Sequence, residues 1–232
     1  MENQLIVDIQ AWIRNYNDAE TASRREYYEV LCAQAPQTES LEVHMKNYGR
    51  FATTGVTATT EELKDLAGRL SMAIPDDLQL FYQTIGSLSS ETIKVFSVSR
   101  LLENFNPSPS RPNAPRSIGI IDMIHRRWNG YRWELDPKNG FISQADIDTL
   151  NAAYTCVGWF LTEDEESATY IYFDRAGMFG TLGYHQDAIE TLCDEDLPVM
   201  LKSSAFKLTL AQVFDEAFAA AAEILSEQES DE

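Results

Sequence analysis

His44, His125 and His185 are the chain's three imidazoles, the side chains best suited to proton transfer near neutrality. None falls in an H-x-H or H-x-x-x-H arrangement, and no cysteine pair accompanies them, so no zinc pattern is present. His185 stands in Tyr184-His185-Gln186-Asp187, where Asp187 could orient the ring for general acid–base work. The same ring could instead bond a carbonyl or carboxylate at a strand end, since it lacks the wider constellation that catalysis requires. Gly177-Met178-Phe179-Gly180 follows a strand pattern but opens another strand, not the helix a phosphate loop needs. There is no Gly-x-Ser-x-Gly elbow. The expectation is therefore no catalytic residue, no cofactor and no metal.

Charge offers a different chemistry. Acidic residues number 37 against 18 lysines and arginines, a formal net charge of -19. Such a chain is repelled by nucleic acid and by anionic membrane, and it attracts basic partners. Two clusters concentrate the charge, Glu163-Asp164-Glu165-Glu166 and Asp194-Glu195-Asp196. The first lacks the alternating ligands and central glycine of a calcium loop. Each is either a solvated turn or a contact for a basic partner. Between them lie Tyr170 and Tyr172, which strand alternation places together on one face. If that face is exposed, the two rings are aromatic anchors beside acids, and with both clusters they form the candidate partner-binding set.

The elements that must carry these groups are legible from spacing. Leu5, Ile6, Ile9, Trp12, Ile13 and Tyr16 predict an amphipathic helix over residues 2–18, and a second helix is expected over 22–34. Leu41–Tyr48 reads as a further helix, and GRFATTG as loop. Thr59 with Glu62 forms a capping box ahead of Leu63, Leu66, Ala67 and Leu70, and this helix stops near Ser71. Ile74-Pro75 starts the next helix, which buries Leu78, Leu80, Phe81 and Ile85 and stops at Gly86. A β-rich stretch covers 92–97, and Leu101–Phe105 reads as one helical turn. Asn106–Pro115 holds four of the eight prolines and reads as a loop. Residues 117–128 fit a helix or a buried strand, and a short strand is expected between Asn129-Gly130 and Lys138-Asn139-Gly140. Ser143 caps a helix over 144–154. Strands over 155–161, 168–173 and 178–184 form a meander whose turns are Glu163–Glu166 and Asp174–Gly177. A loop through Pro198 then leads to a last helix over 210–225 and a frayed acidic tail. Cys32, Cys156 and Cys193 read as buried reduced thiols. The start has no basic n-region, and no apolar run reaches the roughly 18 residues of a membrane helix, so a cytoplasmic location is expected.

Two of these stretches resemble the SMI1/KNR4 (SUKH) family. The first is TTEELKDLAGRLSMAIPDDLQLFYQTIGS, with Glu61, Glu62, Leu63, Leu70, Ile74, Pro75, Asp77, Leu78, Phe81, Tyr82 and Gly86 as the matching residues. The second is YIYFDRAGMFGTLGYHQD, similar to the family's hairpin in which an aromatic strand ends at Phe-Asp and a glycine turn follows. Where the family has Asn-Gly after the second helix, this chain has Ile85-Gly86-Ser87. The resemblance spans about Thr59 to Leu225 and implies an α+β fold with helices packed against a mostly antiparallel sheet. It divides the chain into an N-terminal helical extension (1–58), a family-like domain (59–226) and an acidic tail (227–232). It also implies an immunity protein that neutralises a cognate bacterial toxin domain by stoichiometric binding. Joined to the charge, the implied partner is a basic toxin domain, a nuclease being one candidate, with no direct nucleic-acid or membrane contact. The competing readings are a regulatory interaction module without a toxin partner and a hydrolase using His185.

Overall fold

The computed structural model describes residues 3–35, 37–106, 117–127, 135–162, 167–185, 191–203 and 207–230. Helices pack against an antiparallel sheet that has six strands among the described residues, in the order β1-β2-β3-β4-β5-β6. The strands are β1 (Thr53–Thr54), β2 (Leu88–Ser89), β3 (Ile93–Val95), β4 (Tyr154–Leu161), β5 (Ser167–Asp174) and β6 (Phe179–His185). The fold is mixed α+β. No helix among the described residues is long and apolar enough to cross a membrane.

The N-terminal segment forms one helix, α1 (Gln4–Gln34), and not the two expected from spacing. Residues 19–21 contain no glycine or proline to break it, and the Thr21 hydroxyl donates back to the Asn17 carbonyl at 2.7 Å. Its first half joins the core through Leu5, Ile6 and Ile9. Its middle holds the chain that follows α2 (Leu41–Tyr48). Asn17 exchanges two hydrogen bonds with the Ala52 main chain, at 2.7 and 3.0 Å. Buried Glu20 accepts from the Arg50 N–H at 2.8 Å. These side-chain bonds deliver β1, which lies within the stretch expected to be loop, to the edge of the sheet. The segment before residue 59 thus contributes a strand as well as helices.

The paired helices follow their sequence signals. α3 (Thr60–Leu70) carries the Thr59–Glu62 capping box and ends at Ser71 in the left-handed conformation. The carboxylate of Glu62 accepts from the Thr59 main chain, which holds its pKa below the ordinary glutamate value. α4 (Asp76–Thr84) begins one residue later than expected, with Pro75 at its cap. Phe81 and Tyr82 are fully buried, and Phe81 meets Phe214 at 5.6 Å between ring centroids. Leu63, Leu66, Leu78 and Phe81 are buried, as is Phe173 of β5, whereas Leu70 and Trp159 of β4 are half-buried. Arg127 lies 3.9 Å above the Trp159 ring, so its stem and charge cover what apolar neighbours leave open.

Beyond β3 come α5 (Val98–Glu103) and α6 (Ile120–Arg127), the latter resolving a choice between helix and strand. α7 (Gln144–Ala153) is capped by Ser143 as read. The β4–β5–β6 meander is present with one irregularity, a register shift between Cys156 and Gly158. Residues 191–202, expected to be loop, are helical: a π turn (Leu192–Asp196) runs into α8 (Leu197–Lys202). The last helix, α9 (Leu210–Ser230), runs five residues past the expected end. Trp12 of α1 stacks on Phe218 of α9 with centroids 4.5 Å apart and planes 9° from parallel. The Pro-rich stretch after Asn106, the strand expected near residue 131 and the turn Glu163–Glu166 lie outside the described residues.

Alternation left open whether the Tyr170–Tyr172 face of β5 meets solvent; it does not, because all eight residues of β5 are buried. Register explains how. Tyr172 opposes Gly180 and Ile171 opposes Thr181. The first pair lies on the side of α8, where Tyr154 contacts Tyr172 and donates to the Met200 carbonyl at 2.8 Å. The second lies on the side of α9, where the Thr181 hydroxyl reaches Glu216 at 3.5 Å. Helices cover both faces, so period 2 along β5 separates two buried sides and not core from water.

Candidate functional site

The groups singled out from the sequence partly converge at the end of β6. A cleft of about 220 Å³ opens there, walled by Ser167 at the start of β5, by Gly183 and His185 of β6, and by Leu192 and Asp196 of the π turn. The turn arises because the Leu197 N–H bonds the Leu192 carbonyl, a five-residue step that widens the helix by one residue. That extra residue keeps Leu192 and Cys193 buried while Asp194 and Glu195 remain exposed. Asp196 is turned partly inward. Desolvation there, followed by the neighbouring Glu195 charge, raises its pKa above the ordinary aspartate value. The cleft therefore brings His185 and Asp196 together, two groups the sequence had assigned to different chemistries.

The remaining expected site residues divide sharply. Glu163, Asp164, Glu165 and Glu166 lie outside the described residues, as does Asp187, the proposed orienter of His185. Tyr170 and Tyr172 are each 1% exposed. They stand in the core and present no ring to a partner, because α6 to α8 cover their face of the sheet. Burial also raises the Tyr172 phenol pKa. Sequence reading passed over Glu216, whose carboxyl on α9 stands beside β6 and is raised in pKa by desolvation. No local signal marks it, since only the docking of α9 against β6 brings the two together.

A second cleft, of about 550 Å³, lies where the chain's two most distinctive stretches meet. Its walls are Pro75 and Asp77 at the start of α4, Arg175 and Gly177 in the β5–β6 turn, and Leu208 and Thr209 before α9. The turn is built on Asp174, whose carboxylate accepts from the N–H groups of Ala176 and Met178 at 2.8 and 3.0 Å. Gly177 supplies the positive φ of +79° that closes it. A methyl group there would sit 3.7 Å from Pro75, so the two stretches are within van der Waals reach. Arg175 is held by its Nε–H on the Ala152 carbonyl at 3.0 Å. Thr209 and Gln212 cap the start of α9 reciprocally.

The other histidines and the cysteines have structural surroundings. His44 is packed among the rings of Tyr27, Tyr28 and Tyr48, with Nδ1 3.2 Å from a Glu39 carboxylate oxygen. His125 is half-buried in the last turn of α6. Cys156 is fully buried, and desolvation pushes its thiol pKa up to about 12, which keeps it protonated. Cys193 is buried as expected, but Cys32 is exposed on α1, contrary to expectation. Among the described residues no group of three or more His, Cys, Asp or Glu is placed to hold a metal ion.

No protein-family model, curated protein or solved structure matches this chain.

Proposed function

We propose that this chain is a SUKH-like immunity protein, which binds a cognate bacterial toxin domain and neutralises it by occupying a basic surface. The observation that carries this reading is the exposed Asp194-Glu195 pair on the π turn, set beside a cleft in a chain of net charge -19. Such a surface suits a cationic substrate groove, as a nuclease would have, and needs no turnover. The cleft that the Pro75 and Gly177 stretches line together supports the family part of the reading. These are the two segments that resemble the family, and they lie about 100 residues apart in the chain.

Long-range attraction between opposite charges acts mainly on the rate of encounter. Replacing Asp194, Glu195 and Asp196 together by asparagine is expected to slow association with a cognate toxin domain, leaving dissociation largely unchanged. Raising salt is expected to slow the unaltered pair in the same way, because exposed charges are screened beyond about 10 Å at 0.1 M. Stopped-flow association at low and high ionic strength measures both effects. Rates indifferent to salt and to the triple substitution would remove the electrostatic basis of the reading.

A further inference from the structure

β6 is the last strand of the sheet, and its outer edge has an orientation that the hydrogen bonds fix. Phe179 exchanges both main-chain bonds with Leu208, at 3.0 and 2.9 Å, so its N–H and C=O point away from β5. The Asp174 N–H bonds the Met178 carbonyl, which sets the opposite parity toward β5. In an antiparallel ladder this alternation continues along the strand. The N–H and C=O of Thr181 and of Gly183 therefore also point outward, and among the described residues neither has a main-chain partner. Gly183 is exposed, and a methyl group placed on it would meet only the Thr169 hydroxyl, at 3.9 Å. The strand, FGTLGYH, contains neither the lysine nor the proline that usually blunts an edge.

What this edge would accept follows from its surroundings. Glu216 stands 3.5 Å from the Thr181 hydroxyl, and Asp196 shares a cleft with Gly183 and His185. We infer that the β6 edge binds an extended, lysine- or arginine-rich segment of a protein partner as a seventh strand, through the main chain of Thr181 and Gly183. This rests on the binding reading above and names the surface that reading requires. Main-chain bonds hold the segment, and its cationic side chains come within reach of Glu216 and Asp196. A second copy of this chain would bring the same acids, and another net charge of -19, against the edge. Charge therefore selects a basic partner over self-association.

The test uses the full chain and an acetylated peptide of alternating lysine and valine, read by amide chemical shifts in low salt. The peptide is expected to shift the amide protons of Thr181 and Gly183. The same peptide N-methylated at alternate residues keeps its charge but loses donors, and is expected to bind roughly tenfold more weakly. Gly183→Pro removes an outward N–H without touching the β5 ladder, and is expected to weaken binding to a similar degree. Gly183→Ala keeps the donor and is expected to bind like the unaltered chain. No shift at Thr181 and Gly183, or equal affinity for the methylated peptide, would overturn the inference without any variant having to fold. Sedimentation showing a dimer that Gly183→Pro dissolves would overturn it in favour of a second copy. If Gly183→Pro binds and neutralises the toxin domain with the affinity of the unaltered chain, the edge is not the binding surface, whereas the function proposed above stands. Failure of the unaltered chain to neutralise it would count against that function alone.

Discussion

Asp196 and Glu216 are carboxylates that folding places in poor solvation, and both have raised pKa values for that reason. An acid that ionises at higher pH in the folded chain than in the unfolded one binds more protons when folded. Its contribution to stability therefore falls as pH rises from the ordinary carboxylate pKa, about 4, through the raised folded value. Glu62 has the opposite sign. Its lowered pKa means that the stabilisation from its bond to Thr59 is present above the unfolded value and lost as pH falls through the folded one. Asp196→Asn and Glu216→Gln should each raise the unfolding midpoint in urea at neutral pH and flatten its decline between mildly acidic and neutral pH. Neither change should alter the midpoint below the ordinary carboxylate range, where the native groups are already neutral. A loss of stability at neutral pH in both variants would mean that these carboxylates are held by favourable partners and not merely desolvated.

At the scale of elements, the sheet depends on a close approach at the β3–β4 seam. Gly158 opposes Val95 beside the register shift, and a methyl group on it would overlap the Lys94 carbonyl oxygen. Because that neighbour is backbone within a ladder, it cannot swing aside. Gly158→Ala should cost about 1–3 kcal/mol, the usual scale of overpacking, read as a lower urea midpoint with an unchanged slope. An unchanged midpoint would mean that β3 yields freely.

The elements that were legible share a local cause. The α3 cap, the Ser143 cap and the glycine turn between β5 and β6 are each specified by residues within a few positions of one another. The errors share a tertiary one. β1 has two residues and exists because Asn17 and Glu20 hold its flanks from 30 or more positions away. Both sides of β5 are covered by helices that alternation along a single strand cannot reveal. The π turn and α8 surround Pro198, which reads as a breaker but is tolerated in the first turn of a helix. The candidate site follows the same division. Asp194, Glu195 and Asp196 announce themselves as a charge cluster, whereas Glu216 and the outer edge of β6 depend on how distant segments dock.

Taken whole, the molecule is a covered sheet that carries much negative charge, with one acidic turn and one acidic helix beside its last strand. Under the function proposed above, it neutralises a toxin domain by binding it, molecule for molecule. The direct measurement is residual toxin activity at a fixed toxin concentration, well above the dissociation constant, as this chain is added in increasing ratio. Activity should fall in proportion to the amount added and reach its floor near equivalence, with the toxin recovered chemically intact. Full inactivation at strongly substoichiometric ratios, with the toxin cleaved or modified, would overturn the proposed stoichiometric binding and show a catalyst instead, with His185 and Asp187 the first residues to replace.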